Sequence, residues 1–182
     1  MGVRTIQLAG YDVYYEEKSP QTRQRFIKNL RKACDWAEEA QVVLAIEIMD
    51  DPFINSIEKY LAIEKEIDSP YLFVYPDIGN VSAWNNDVYS EFYLGHHAIA
   101  ALHLKDTYAV TESSKGQFRD VPFGQGCVKW EEAFDILKQT NYNGPFLIEM
   151  WSENCETVEE TRAAIQEAQA FLYPLIKKAG LM

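Results

Sequence analysis

Val42-Val43-Leu44-Ala45-Ile46-Glu47-Ile48 is an apolar run interrupted by a single carboxylate. Its length and branched side chains suit a β-strand. Apolar residues on both alternations suit one covered on both faces, as strands of parallel sheets are. A carboxylate in such a place is costly unless it is paired, hydrogen-bonded or bound to a metal. Glu47 is therefore the residue that needs explaining.

Working outward, strands and helices alternate. Upstream, residues 3–8 are short, apolar and β-branched, which predicts a strand. Ser19-Pro20 then offers an N-cap and a first-turn proline. Phe26, Ile27, Leu30, Ala33, Cys34 and Ala37 follow at helical spacing. Downstream, Ile57, Tyr60, Leu61 and Glu64 continue as a helix, and residues 71–75 form a strand closed by Pro76-Asp77. A short helix is expected over 87–95, a fourth strand over 99–104 and a helix over 130–137. Asn143-Gly144-Pro145 then turns the chain into a fifth strand over 146–150. Thr157 and Glu160 are spaced as a capping box. They open a last helix that should be bent or broken near Pro174 and stopped at Gly180. Residues 105–126 are polar and aperiodic and are expected to form one long loop. No linker or low-complexity tract divides the chain, so 1–182 is expected to be a single α/β domain. Helical crossovers imply parallel neighbouring strands.

An open doubly wound sheet and a piece of a (β/α)8 barrel both fit this order. The strand ends separate them. Glu47, Asp77 in Tyr75-Pro76-Asp77-Ile78, His103 in Ala101-Leu102-His103-Leu104, and Glu149 in Leu147-Ile148-Glu149-Met150 place one metal-type ligand at the end of four strands. In a flat sheet, with strands about 4.8 Å apart, four such ends would span roughly 14 Å. Metal bonds to oxygen or nitrogen are only about 2.0–2.2 Å. A curled sheet brings the ligands together, as barrels do at the C-terminal ends of their strands. The dinucleotide fingerprint is also missing, because Leu8-Ala9-Gly10-Tyr11-Asp12 follows the first strand instead of GxGxxG. The expected fold is a partial (β/α)8 TIM barrel of about five parallel βα units. Three carboxylates and an imidazole suit a divalent cation of the Mn, Zn, Co or Mg type. A glutamate on each side of the ion equips the site to remove a proton beside a carbonyl from one face and return one from the other.

Composition narrows the partners. The 182 residues carry 17 Lys and Arg against 28 Asp and Glu, a formal charge of −11. Such a chain repels nucleic acid and anionic lipid, so a small molecule is the expected partner. No apolar run is long enough to span a bilayer, and the first residues lack the pattern of a signal peptide. Cys34, Cys127 and Cys155 form no CxxC and are expected as free thiols of a reducing cytoplasm. His96-His97 precedes the fourth strand and is expected to be surface.

Around the ligands the sequence closely resembles the L-ribulose-5-phosphate 3-epimerases, also called L-xylulose-5-phosphate 3-epimerases, of bacterial L-ascorbate or L-xylulose catabolism. These are xylose-isomerase-like TIM barrels. The matching stretches are Ile6-Gln7-Leu8-Ala9-Gly10-Tyr11-Asp12-Val13-Tyr14-Tyr15, Glu47-Ile48-Met49-Asp50 and Tyr75-Pro76-Asp77-Ile78-Gly79-Asn80. His103-Leu104-Lys105-Asp106-Thr107, Arg119-Asp120-Val121-Pro122-Phe123-Gly124-Gln125-Gly126 and Leu147-Ile148-Glu149-Met150-Trp151 complete them. The resemblance implies that Glu47, Asp77, His103 and Glu149 are metal ligands, and that Glu47 and Glu149 are also the catalytic acid/base pair. It implies substrate contacts at Asn80 and Arg119. Lys105 and Arg119 are the candidates for attracting a phosphate, with Gly124 and Gly126 allowing close backbone approach. It also suggests a homodimer.

By the same resemblance the chain begins at the family's fourth strand, so its five units would be strands 4 to 8. Two sheet edges, at 3–8 and 146–150, would then be open. That leaves three alternatives to an active epimerase. One is a truncated or split-chain remnant, another is a related hexulose-phosphate isomerase, and the third is an endonuclease acting on abasic DNA. The acidic charge and the single histidine among the ligands count against the nuclease.

Overall fold

In the computed structural model, which describes residues 2–182, the strand that carries Glu47, β2 (Val43–Glu47), lies between β1 (Thr5–Ala9) and β3 (Leu72–Tyr75). All three run parallel, and Glu47 is in register with Ala9 on one side and Tyr75 on the other. β4 (Leu102–Leu104) pairs in parallel with β7 (Phe146–Ile148), with His103 opposite Leu147. Parallel bridges Val74–Ile99 and Asp77–His103 join β3 and the residues just past it to the start and the end of the 99–104 stretch. The parallel strands thus follow one another as β1-β2-β3-β4-β7. Among the described residues this arc does not close, because β1 and β7 are not paired with each other.

The helices form where the sequence places their caps. In α1 (Pro20–Ala40), the Ser19 hydroxyl accepts from the Thr22 amide and the Thr22 hydroxyl accepts from the Ser19 amide. α2 (Ile57–Ile67) is capped by Ser56, and α4 (Val88–Gly95) by Asp87. α5 (Trp130–Gln139) and α6 (Val158–Ala179) cover the far end, α6 starting from the expected box of Thr157 and Glu160. The apolar faces of these helices meet the strands in one core. Ile46, Ile57, Tyr60, Leu102, Leu104, Phe134, Leu137 and Leu172 are all buried there. No helix of the described residues is long and apolar enough to cross a membrane. Cys34, Cys127 and Cys155 are free, and His96 and His97 are exposed on a short 3-10 turn.

Three features differ from the sequence reading. α6 is not broken at Pro174 but runs through it. A proline there removes one backbone donor, yet Leu172 and Ile176 on either side are buried and hold both halves of the helix to the core. A short helix, α3 (Ile78–Ala83), follows β3, with Asp77 as its N-cap. The expected long loop contains an antiparallel hairpin, β5 (Asp106–Tyr108) and β6 (Gln117–Val121), in which Asp106 pairs with Val121 and Tyr108 with Gln117. These strands are short and polar, so period-2 alternation does not reveal them. Gly116, at φ 74°, makes the approach to β6 that a side chain would block, since a Cβ there would meet the Tyr108 carbonyl at 2.8 Å.

Gly10 ends β1 against the neighbouring strand, where an added Cβ would lie 2.4 Å from the Glu47 carbonyl oxygen. That neighbour is backbone and can move only with β2. Gly10→Ala is therefore expected to destabilise the fold by about 1–3 kcal/mol, read as a lower urea midpoint. An unchanged midpoint would show that β1 is not held tightly to β2 at this point.

Candidate metal centre

The strand register brings four polar side chains to one end of the arc. Glu47 is the last residue of β2, Asp77 lies just past β3, His103 is the middle of β4, and Glu149 follows β7. The Glu149 amide donates to the Leu104 carbonyl at 3.0 Å, and the His103 amide to the Pro76 carbonyl at 3.0 Å. Backbone pairing thus fixes each residue before its side chain is considered. One ligand atom from each of the four lies within 4.8 Å of the others. Strand ends in a flat sheet could not converge so closely, given a spacing of about 4.8 Å between neighbours. The arc is therefore curled, as the ligand set predicted.

Inside the cluster, His103 Nδ1 lies 2.9 Å from Glu47 Oε1 and 2.8 Å from Glu149 Oε2. It meets hydrogen-bond geometry towards Glu47. Gln7 Nε2 donates to the other Glu47 oxygen at 2.6 Å. Asp77 divides its oxygens: Oδ1 accepts from the Asn80 amide at 2.9 Å as the α3 cap, and Oδ2 faces the cluster. Lys105 Nζ stands 2.8 Å from Asp77 Oδ2 and 3.1 Å from Glu149 Oε1. Asp77 Oδ2 and Glu149 Oε2 are buried without a properly directed hydrogen bond. Two oxygens with free lone pairs, beside Glu47 and an imidazole, fit a divalent cation of the intermediate or hard class.

The protonation pattern follows from burial and from these neighbours. Burial pushes Asp77 up to about 7, with Lys105 opposing the rise and Glu149 adding to it. Burial alone would lower His103, but Glu149 and Glu47 outweigh it and hold the imidazole up at about 9. Burial would also raise Glu149, yet His103 and Lys105 take it down to about 2. At neutral pH His103 is thus an imidazolium and Lys105 an ammonium, with Glu149 ionised and Asp77 partly protonated.

A cavity of about 340 Å³ opens over the cluster. Arg119 lines it, stacked over the Trp151 ring with its guanidinium carbon 3.8 Å from the ring centroid. Asn80 is buried, its Nδ2 donating to the Ile48 carbonyl at 2.9 Å, while its Oδ1 has no partner. Lys105, Asn80 and Arg119 thus share the cavity wall with Glu47, His103 and Glu149. Gly124 and Gly126 do not line it. Their amides donate to Asp106 Oδ2 at 2.8 and 3.2 Å.

Several residues escaped the sequence reading. Asp106 accepts from four backbone amides, those of Thr107, Gly124, Gly126 and Val128, and from the Trp130 indole. This buried carboxylate ties the hairpin to the segment before α5. Its sequence signal was the polar Lys-Asp pair directly after an apolar strand. Gln7 was likewise visible as the one polar residue inside Ile6-Gln7-Leu8. Tyr11, whose hydroxyl donates to Asp50, had no comparable signal.

Comparison with known proteins fits this geometry. A family model described as "Xylose isomerase-like TIM barrel" matches residues 1–175. The chain is 53% identical over 182 residues to the "Putative L-ribulose-5-phosphate 3-epimerase SgbU" of Haemophilus influenzae. It is 47% identical to "L-ribulose-5-phosphate 3-epimerase UlaE" of Escherichia coli O157:H7. All of this chain is covered in both matches, but it spans only 63% and 61% of the length of those relatives. Among solved structures, one of L-ribulose 3-epimerase superposes with a TM-score of 0.76 at 18% identity, covering 97% of this chain and 62% of that one. A D-psicose 3-epimerase solved in the presence of D-fructose superposes at 0.67 and 17% identity, covering 93% of this chain and 64% of that one. At such identities these two likenesses concern the fold.

Ligation requires a neutral imidazole and ionised carboxylates, so binding a divalent cation must expel protons. His103, held at about 9, is protonated at neutral pH, and Asp77 at about 7 is partly so. Apparent Mn²⁺ affinity should accordingly rise by about tenfold per pH unit between roughly pH 7 and 8.5. Calorimetry in buffers of different ionisation enthalpy should count about one released proton or more. Binding that releases none would show that His103 is not a ligand.

Proposed function

We propose, from the premise that this chain belongs to the xylose isomerase-like TIM barrel family, that it carries the active site of an epimerase interconverting L-ribulose 5-phosphate and L-xylulose 5-phosphate. The observation that carries this reading is the placement of two glutamates about one imidazole, at 2.9 and 2.8 Å, facing one cavity. Names of relatives 47–53% identical over the whole chain support the substrate class.

Glu47, Asp77, His103 and Glu149 would hold a divalent cation of the Mn, Zn, Co or Mg type. Bound there, the ion would supply positive charge to stabilise the enediolate that forms when C3 loses its proton. Glu47 and Glu149 reach the cavity from separate strands, β2 and β7. One carboxylate takes the C3 proton and the other returns a proton to the opposite face, which inverts the centre. Gln7 donates to Glu47 Oε2 from β1, so the orientation of that base does not depend on solvent alone. Asn80 Oδ1, buried and without a partner, is free to accept from a substrate hydroxyl. Arg119, braced on Trp151, supplies the charge for the 5-phosphate. Lys105 would reach that phosphate only by giving up Asp77 and Glu149. A phosphate at Gly124 and Gly126 would have to displace Asp106.

A second reading, that the chain needs a further segment to act, is favoured by its coverage of relatives and by its edges. Every residue of β1 is exposed apart from Leu8, which is half-buried, and Leu147 at the other edge is exposed. In this reading the five units correspond to strands 4 to 8, and the remaining part of the relatives' length closes the arc. The setting would be cytoplasmic pentose or L-ascorbate catabolism.

Exchange of the C3 hydrogen of L-ribulose 5-phosphate in D2O, with Mn²⁺ added, tests both readings. Glu47→Gln and Glu149→Gln should each slow exchange by about 10²–10⁴-fold. Either variant exchanging at the wild-type rate would sink the two-base scheme. A chain that exchanges only when a further segment, matching the rest of the relatives' length, is supplied would establish the second reading.

A further inference from the structure

Lys105 lies between β4 and β5, and its side chain turns into the acidic cluster rather than towards solvent, with 8% of its surface exposed. Its ammonium makes two close contacts, to Asp77 Oδ2 at 2.8 Å and to Glu149 Oε1 at 3.1 Å. Both partners belong to the four residues whose ligand atoms converge within 4.8 Å. Taking the metal centre proposed above as given, we propose that Lys105 is a built-in counter-ion that holds the metal's place. Its ammonium competes with the incoming divalent cation for Asp77 and Glu149, and so sets the affinity of the centre.

The case begins with charge. Three carboxylates gathered at the end of a sheet repel one another unless a cation stands among them. His103 lies near Glu47 and Glu149 but is 4.0 Å from Asp77. Lys105 is the cation that reaches Asp77. Without it, the Asp77 carboxylate would be buried with only the Asn80 amide bonded to it and no cation in close contact. Lysine suits this role. It is a compact charge with three donors and no lone pair when protonated, so it satisfies carboxylates but cannot itself ligate a metal.

The second step is exclusion. An ammonium and a divalent cation sharing the same two carboxylates would stand a few ångströms apart in a site screened poorly by water, where like charges repel strongly. Occupancy by one therefore expels the other. The chain offers Lys105 somewhere to go. Its side chain also lines a second cavity of about 410 Å³, whose wall includes Asp120 and Glu167. The flexible stem lets the ammonium swing from the metal's carboxylates towards that cavity. A purely structural salt bridge would behave differently, because its removal would weaken every property of the site together.

Mn²⁺ titrations by calorimetry on wild type and Lys105→Met, paired with melting curves with and without Mn²⁺, test the idea. Lys105→Met should melt lower than wild type without metal and bind Mn²⁺ at least about tenfold tighter. It should also gain more in melting temperature on saturation. If wild type binds and Lys105→Met binds equally or more weakly, the counter-ion role is overturned. If neither protein binds Mn²⁺, the metal centre itself falls and this role with it. Should Lys105→Met fail to fold unaided, folding restored by Mn²⁺ supports the proposal, and failure to fold even in Mn²⁺ overturns it for that variant. Lys105→Gln, neutral and less apolar, is measured in the same way and must show the same tightening.

Discussion

Three carboxylates and one imidazole drawn from four different strands must sit within a few ångströms of one another, and the rest of the structure answers to that demand. Like charges at the end of a sheet repel, and strand ends in a flat sheet stand too far apart to meet. The arc solves the second problem by curling. His103 and Lys105 address the first by placing positive charge between the acids. Curvature and charge compensation are thus linked: the curl makes the site possible, and it also creates the repulsion that the two cations must offset. The outcome is visible in Asp77, which remains raised to about 7 even with Lys105 beside it.

The same logic explains why so much of the chain beyond the strands is polar and yet ordered. Asp77 serves two ends at once, capping α3 with one oxygen and facing the cluster with the other. The cap restricts the rotation of the carboxylate, so its orientation does not depend on a bound ion. Asp106 does the equivalent work one layer out. By accepting four amides and an indole, it fixes the 124–130 segment against the hairpin, and β6 carries Arg119 to the cavity. A glycine-rich stretch that looked suited to an external anion therefore wraps a carboxylate of the chain itself. Gly126 leaves no room for a side chain there, since a Cβ would lie 2.0 Å from Asp106 Oδ1.

The parallel strands and the four polar residues that converge at their ends were legible because burial leaves a strong mark on composition. A carboxylate in Leu44-Ala45-Ile46-Glu47-Ile48 or Phe146-Leu147-Ile148-Glu149 stands out against its neighbours. The caps at Ser19 and Thr157 were legible because capping is local. The hairpin was not, since β5 and β6 are short and polar and depend on pairing with each other. Nor was the destination of Lys105: its residue type declares a charge, but only the fold reveals that the charge points inward. The fate of Pro174 was hidden for a related reason. Propensity speaks of the isolated helix, whereas Leu172 and Ile176 are anchored by the core.

β1 shows how far the site depends on what lies beside it. Gln7 restrains Glu47 from this edge strand, yet Thr5, Ile6, Gln7 and Ala9 are exposed. An edge strand with one exposed side is held by a single neighbour, so its fluctuations are those of an unpaired ladder. Any loosening of β1 frees the Glu47 carboxylate to turn towards His103 or away from it. Among the described residues Glu149 follows an edge strand itself, since β7 pairs with β4 alone. Glu47 and His103 stand one strand in from an edge, and Asp77 follows the middle strand β3. Three of the four cluster residues therefore lie on or next to an edge, so their convergence depends on how firmly β1 and β7 are held.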